Sequence, residues 1–170
     1  MNFMELAKAR YSCRKFSDRP VEPDKLDRIL EAARVAPTAT NAQPYHIWVL
    51  QSPEALESIR ACTSCHFNAQ VLLLVGAKAD GAWVREFDGR NFADVDASIV
   101  ATQLMLAVQD EGLGTTWVGW FDAPKVKQLF PETESYDLVA LFPIGHPAPD
   151  AAPAPRHSQR RPLGEMVTNL

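Results

Sequence analysis

Apolar positions along the chain alternate between two spacings. One recurs every three to four residues, as on one face of a helix, and the other forms short unbroken runs, as in a buried strand. Phe3, Leu6, Ala7 and Arg10 share helical spacing, which predicts a short helix over 3–10. RYSCRKFSDRP then breaks the period. Pro23 suits the first position of a second helix, Asp24 favours its positive end, and Leu26, Ile29, Leu30 and Ala33 form its apolar stripe up to Pro37. PTATNAQP has no period and is a loop. HIWVL (46–50) predicts a strand, Ser52-Pro53 opens a helix to about Ala61, and QVLLLVG (70–76) is the clearest core strand. Residues 78–92 carry Trp83, Phe87 and Phe92 among charges, which suggests a loop or short helix serving as a lid. The longest helix is expected over 94–111, with Gly112 as its end. TTWVGW (115–120) reads as a strand, Asp122 and Pro124 open a short helix through Leu129, and DLVALFPIG (137–145) reads as the last strand. Helices alternate with strands, so the fold class is α/β or α+β with a central mixed β-sheet.

Composition narrows the picture. A chain of 170 residues, 46% hydrophobic and 22% charged, fits one globular domain over 1–170 and excludes a disordered or collagen-like chain. Seventeen basic against 21 acidic residues leave a net charge of −4, which argues against a general nucleic-acid binder. The three cysteines, Cys13, Cys62 and Cys65, form no disulfide framework. The first residues, MNFMELAKARYS, hold no apolar signal core, and the run Val71 to Val75 is far too short to span a bilayer. These features predict a cytoplasmic protein without membrane contact. Four of the 13 prolines fall between Pro147 and Pro155. Residues 147–170 therefore predict an extended, proline-rich tail that ends in basic residues (Arg156, Arg160, Arg161), either disordered or laid over a surface such as a partner subunit.

Three segments carry candidate chemistry. Arg10-Tyr11-Ser12-Cys13-Arg14-Lys15-Phe16 puts three cations and a hydroxyl at a helix end. Arginine's planar fork suits a phosphate or a carbonyl edge, although a basic turn is often only solvated. Pro37-Thr38-Ala39-Thr40-Asn41-Ala42-Gln43-Pro44 combines small residues with donors and acceptors, which suits a flat ligand or an ordinary connection. Gly112-Leu113-Gly114-Thr115-Thr116-Trp117-Val118-Gly119-Trp120 is not a dinucleotide fingerprint, because it lacks the third glycine and leaves a helix to enter a strand. It can present backbone N–H groups to a ring, with close approach at Gly119, or simply cap a helix before a core strand. A fourth pattern, Cys62-Thr63-Ser64-Cys65-His66, has the spacing of a haem attachment site. A metal site, a redox-active dithiol and two incidental thiols are the other readings. The motif's position at a helix end and the scatter of the other histidines favour incidental thiols.

RYSCRKF, APTATNAQP, GLGTTWVG and an Arg-Arg-Pro-Leu tail, in that order from residue 10 to residue 163, closely resemble the FMN-dependent nitroreductase family. The resemblance implies a nitroreductase-like α+β fold and an intertwined homodimer with FMN at the subunit interface. It also implies two-electron transfer from NADH or NADPH to a small molecule: a nitroaromatic, a quinone or a flavin. A specialised flavin reaction, or an FMN-binding module with no efficient reductant, is the alternative. By the resemblance, Arg10, Tyr11, Ser12 and Arg14 hold FMN from one subunit. Arg10 takes the phosphate, and Arg14 faces the pyrimidine edge of the flavin. Pro37, Thr38, Ala39, Asn41 and Gln43 come from the other subunit. Trp117, Val118 and Gly119 lie near flavin N5, and Arg160 completes the phosphate site. Two departures stand out: Thr38 replaces a common serine, and Ser158 stands where the family often has a lysine. Trp120 stands where small residues are common. Its indole either narrows the space above the flavin and selects flat substrates, or packs in the core.

Overall fold

The computed structural model describes residues 2–170. Its helices are α1 (Phe3–Ala9), α2 (Pro23–Arg34), α3 (Pro53–Arg60), α4 (Ala93–Asp110) and α5 (Ala123–Leu129). The strands are β1 (Tyr45–Leu50), β2 (Val71–Ala77), β3 (Val84–Arg85), β4 (Arg90–Asn91), β5 (Gly114–Thr115) and β6 (Asp137–Gly145). The helix starts follow their signals. Asn2 and Glu5 form a reciprocal capping box on α1, Ser52 caps α3 and Asp122 caps α5, each satisfying a backbone N–H that the helix itself leaves free.

Four strands form one sheet in the order β1-β2-β6-β5, every ladder antiparallel. The parallel component that makes the sheet mixed is a single bridge, Ser12 to Thr115. Strands β2 and β6 sit in the middle, and successive residues of a strand face opposite sides. Val71, Leu73, Val75, Phe142 and Ile144 pack with Leu26, Ile29, Val100 and Leu104 from α2 and α4. Leu72, Leu74 and Leu141 pack with Ile59 of α3 and with Val126 and Phe130 at α5. Burial on both faces explains why β2 reads as an unbroken apolar run.

Two expectations change. Residues 78–92 form neither an open loop nor a helix: β3 and β4 pair as a small hairpin. Phe92 packs edge-on against Trp83 at 4.9 Å, with the Arg85 and Arg90 guanidinium groups over its ring, and Phe87 at the tip is exposed. The strand expected over 115–120 is regular only to Thr115. Its register nonetheless continues, since Gly114–Gly145, Thr115–Ile144 and Val118–Leu141 belong to one alignment. In that alignment Thr116 faces Pro143, which has no N–H to donate, so this rung is missing. Val118 restores the pairing, exchanging both backbone hydrogen bonds with Leu141 at 3.0 and 2.9 Å.

The segment after α1 runs along the outer edge of β5. The Cys13 N–H donates to the Thr115 carbonyl at 2.9 Å, and the Cys13 side chain is fully buried. This approach needs a glycine at 114, because a Cβ there would sit 2.7 Å from both Cβ and Sγ of Cys13. Gly114→Ala is expected to destabilise the fold by about 1–3 kcal/mol, the usual cost of overpacking a close contact. Chemical denaturation measures this. An unchanged midpoint would show that the Cys13 segment leaves Thr115 at no cost.

Candidate functional site

Two separate surfaces carry the residues singled out in the sequence. The first is built on the edge of β5. Arg10 closes α1, its N–H donating to the Leu6 carbonyl at 3.0 Å, and its half-buried guanidinium points to Met105 Sδ at 4.0 Å. Tyr11 is half-buried and meets the His157 ring edge-on at 6.5 Å, so the tail returns to the first helix. Burial holds the Tyr11 phenol above its usual pKa, and the neighbouring Cys13 thiol adds to that direction. Ser12 bridges Thr115, and the exposed Arg14 donates to the Ser12 carbonyl at 3.2 Å.

The pairing of 12–13 with 115 places Arg14 next to the segment that leaves the sheet. Arg14, Cys65, Phe67 and residues Thr116–Trp120 line one small cavity of about 140 Å³. Trp117 packs edge-on over Phe142 at 5.3 Å, with its other side open. Val118 is fixed by its two bonds to Leu141, and Gly119 follows at the surface. A Cβ at Gly119 would meet nothing within 4 Å, and its N–H has no acceptor among the described residues. A cation and a free backbone donor thus share one concave surface.

The tail lies across α1 beside this surface. His157 Nε2 is 3.2 Å from the Lys8 carbonyl, and Ala7, Lys8, His157, Ser158 and Arg160 line a cavity of about 320 Å³. Arg160 donates to the carbonyls of His157 and Gln159 at 2.6 and 2.8 Å. Lys8 stands here beside Arg160, a cation that sequence reading passed over. Helical spacing brings it to this cavity, whereas Arg10 turns toward Met105.

The second surface is the loop from Pro37 to Gln43. Thr40, Asn41 and Gln43 have φ of 51°, 57° and 52°, the left-handed region that costs most non-glycine residues about 1–3 kcal/mol each. Local bonds hold them there. The Thr38 hydroxyl accepts the Gln43 N–H at 3.0 Å, and Gln43 Nε2 donates to Asn41 Oδ1 at 3.0 Å. Beneath the loop lies Asp96, 1% exposed, whose Oδ1 accepts the Ala39 N–H at 2.9 Å. Its other oxygen is buried without a hydrogen-bond partner among the described residues. The sequence shows Asp96 only as a helix-start residue, so its role as anchor of the loop is a tertiary finding. Pro37 sits on the rim of an open apolar groove of about 870 Å³, lined by Phe3, Leu6, Val95, Ile99 and Leu106 among others. Among the described residues, no hydrogen bond joins Thr38–Gln43 to the Arg14 or Gly119 surface.

The Cys62–His66 pattern is a turn. Cys62 Sγ donates to the Ser58 carbonyl at 3.5 Å, burial pushes its thiol pKa up, and Cys13, Cys62 and Cys65 are free. No cluster of three His, Cys, Asp or Glu among the described residues is placed to hold a metal, and no described helix is long and apolar enough to cross a membrane.

Comparison with known proteins bears directly on this arrangement. A relative from Methanothermobacter thermautotrophicus, provisionally named NADH dehydrogenase/NAD(P)H nitroreductase, is 30% identical over 160 residues, covering 87% of this chain and 78% of its own. The crystal structure of a nitroreductase family protein from Clostridium difficile 630 superposes with a TM-score of 0.91 at 36% identity, covering 99% of this chain and 98% of that one. A provisionally named nitroreductase from Desulfovibrio desulfuricans, solved in complex with FMN, superposes at 0.80 with 25% identity, covering 100% and 98% of the two chains. The model of the Nitroreductase family matches residues 7–67 and 60–146, which takes in the end of α1, the basic edge segment, the strained loop and the Gly114–Gly119 surface. By its sequence and its fold, then, the chain belongs to the Nitroreductase family.

Proposed function

We propose that the protein is an FMN-dependent oxidoreductase that takes two electrons from NADH or NADPH and passes them to a small electrophilic acceptor such as a nitroaromatic, a quinone or a free flavin. Residues 1–170 act as one FMN-binding domain, and the working unit is a homodimer. The observation that carries the reading is the shared surface of the Arg14 guanidinium and the unpaired Gly119 N–H. A flat ring that needs a donor at one edge and a cation at another fits this surface, and the bare Gly119 backbone lets it approach. Bound FMN supplies the two-electron chemistry, which is why the chain needs no nucleophile or acid–base pair of its own.

Each residue then has a positional task. The Gly119 N–H, with Val118 locked to Leu141 behind it, would serve as a donor to the flavin ring. The Arg14 cation would hold the ring's pyrimidine edge and favour its reduced, anionic form. Lys8 and Arg160 line the cavity at the α1–tail junction and supply positive charge for the phosphate; Arg10, which rests against Met105 in the single chain, joins them by turning its guanidinium from there. Thr38, Ala39, Asn41 and Gln43 serve the site of the second copy, since within one chain they have no bond to the Gly119 surface. The apolar groove beside Pro37 supports that pairing, as do Leu163, Met166, Val167 and Leu170, tail residues that are exposed within one chain.

Purified protein is expected to sediment as a yellow dimer whose flavin bleaches when NADH or NADPH is mixed in without oxygen. A stable monomer with full flavin occupancy, or a flavin that neither nucleotide bleaches, would overturn the proposal. Arg10→Ala and Arg160→Ala should each weaken FMN by about 1.5–3 kcal/mol, the range for a charge-assisted bond, and weaken riboflavin much less. Equal losses for the two ligands in a titration would remove the phosphate assignment. Arg14→Ala should lower the midpoint potential of the fully loaded flavin and slow its reduction, and Arg14→Lys should recover part of both. Dye equilibration reads this, and an unchanged potential would return Arg14 to the solvated surface.

A further inference from the structure

The turn after α3 is bonded to the segment that carries Gly119, and this connection gives Thr63 and Trp120 a task. Thr63 is buried, at 7% exposure, between the two cysteines. Its hydroxyl donates to the Trp120 carbonyl and accepts the Cys65 N–H at 3.0 Å, so both of its hydrogen-bonding roles are filled. Two residues further on, the Asp122 N–H donates to the Cys62 carbonyl at 2.9 Å. Lys125 Nζ adds a bond to the Ala61 carbonyl at 2.9 Å. The backbone is therefore held by Val118 before Trp120 and by the Trp120 carbonyl and Asp122 after it, while Trp120 is 77% exposed. Core packing, one of the two readings open from sequence, does not describe this indole in the chain.

Trp120 borders two cavities. One, of about 300 Å³, is lined by Cys62 and residues Gly119–Asp122. The other, of about 140 Å³, is the surface shared by Arg14, Phe67 and Thr116–Trp120. A large indole fixed at its backbone and open at its face offers a stacking plane beside a cation and a free N–H. We propose that Trp120 is the wall that selects flat aromatic acceptors, and that Thr63 is its positioning residue, holding the Trp120 backbone so that the indole keeps its place beside Arg14 and Gly119. This rests on the oxidoreductase reading above and adds to it a specificity determinant. A planar quinone or nitroarene stacks on the indole and Phe67, while Arg14 stays committed to the cofactor. A saturated or branched acceptor gains no stacking and meets the same wall as an obstacle.

The test is a calorimetric titration of 2-methyl-1,4-naphthoquinone into the oxidised, FMN-loaded protein with no reductant present. Trp120→Ala should raise Kd about tenfold and Trp120→Phe about two- to threefold, in line with the measured worth of aromatic pairs. Thr63→Val keeps the shape but leaves the Trp120 carbonyl without its donor, and should raise Kd about three- to tenfold, while Thr63→Ser should stay within about twofold of wild type. In steady state, the ratio of kcat/KM for the quinone over that for ferricyanide should fall in Trp120→Ala and Thr63→Val and recover in Thr63→Ser. Equal Kd values and equal ratios across the series, or no quinone binding by wild type, would overturn the proposal. Failure of the oxidoreductase reading shows separately, as a wild-type flavin that neither nucleotide bleaches.

Discussion

The contact of Cys13 with Gly114 and Thr115 organises everything that follows from it. The Cys13 N–H reaches the Thr115 carbonyl only because residue 114 has no side chain. That bond lays the basic segment along the sheet edge, and Ser12 and Arg14 follow from it. Phe16 then packs against Gly145, where a Cβ would come within 3.0 Å of its ring, and the Ser17 N–H donates to the His146 carbonyl at 2.9 Å. The segment is thus fixed at both ends, with two exposed cations between them: Lys15, paired with Asp150, and Arg14. A flexible basic turn would leave its charge in solvent; this one has a position.

The other half of the same surface depends on a donor that is missing. Pro143 lies in a central strand, where it is tolerated because its ring nitrogen faces a gap and not a partner. The gap lets residues 116–117 leave the ladder, and the Val118–Leu141 pair brings them back before the chain departs at Gly119. Both backbone groups of Val118 face Leu141, so the next N–H, that of Gly119, points away from β6 at the open edge of the sheet. The turn at Thr63 then holds the chain beyond it.

The loop at 37–43 follows a different principle. Three consecutive-to-near residues in the left-handed region would open in isolation, so the surrounding bonds must determine them. Asp96 supplies the deepest of these, and its burial is tolerable because one oxygen is bonded to the Ala39 N–H. Strain of this kind is characteristic of backbone that presents groups to a ligand rather than to the core. Pro37, where the loop begins, lines the apolar groove between α1, α2 and α4. A single chain thus carries the strained loop apart from the surface of Arg14 and Gly119.

The sequence determined the elements and the chemistry they carry. The runs at 70–76 and 137–145 could only be central strands, because both of their faces are apolar, and Pro23, Ser52 and Asp122 mark helix starts by local bonding that needs no distant partner. The order of RYSCRKF, APTATNAQP and GLGTTWVG carried the family, since each residue type there answers a specific demand of backbone or charge. Tertiary structure decided the rest, and always through a partner remote along the chain. The strand at 115–120 breaks because residue 143 is proline, and the residues 78–92 pair with each other because Trp83 and Phe92 find one another's rings. Lys8 joins Arg160 because the tail folds back over α1. Asp96 reads as a helix-start charge until the loop at Ala39 covers it, and Thr63 reads as a spacer in a cysteine motif until the Trp120 carbonyl reaches it. Local rules see the residue type and its near neighbours; a hydrogen bond across 57 positions exists only once the chain has folded.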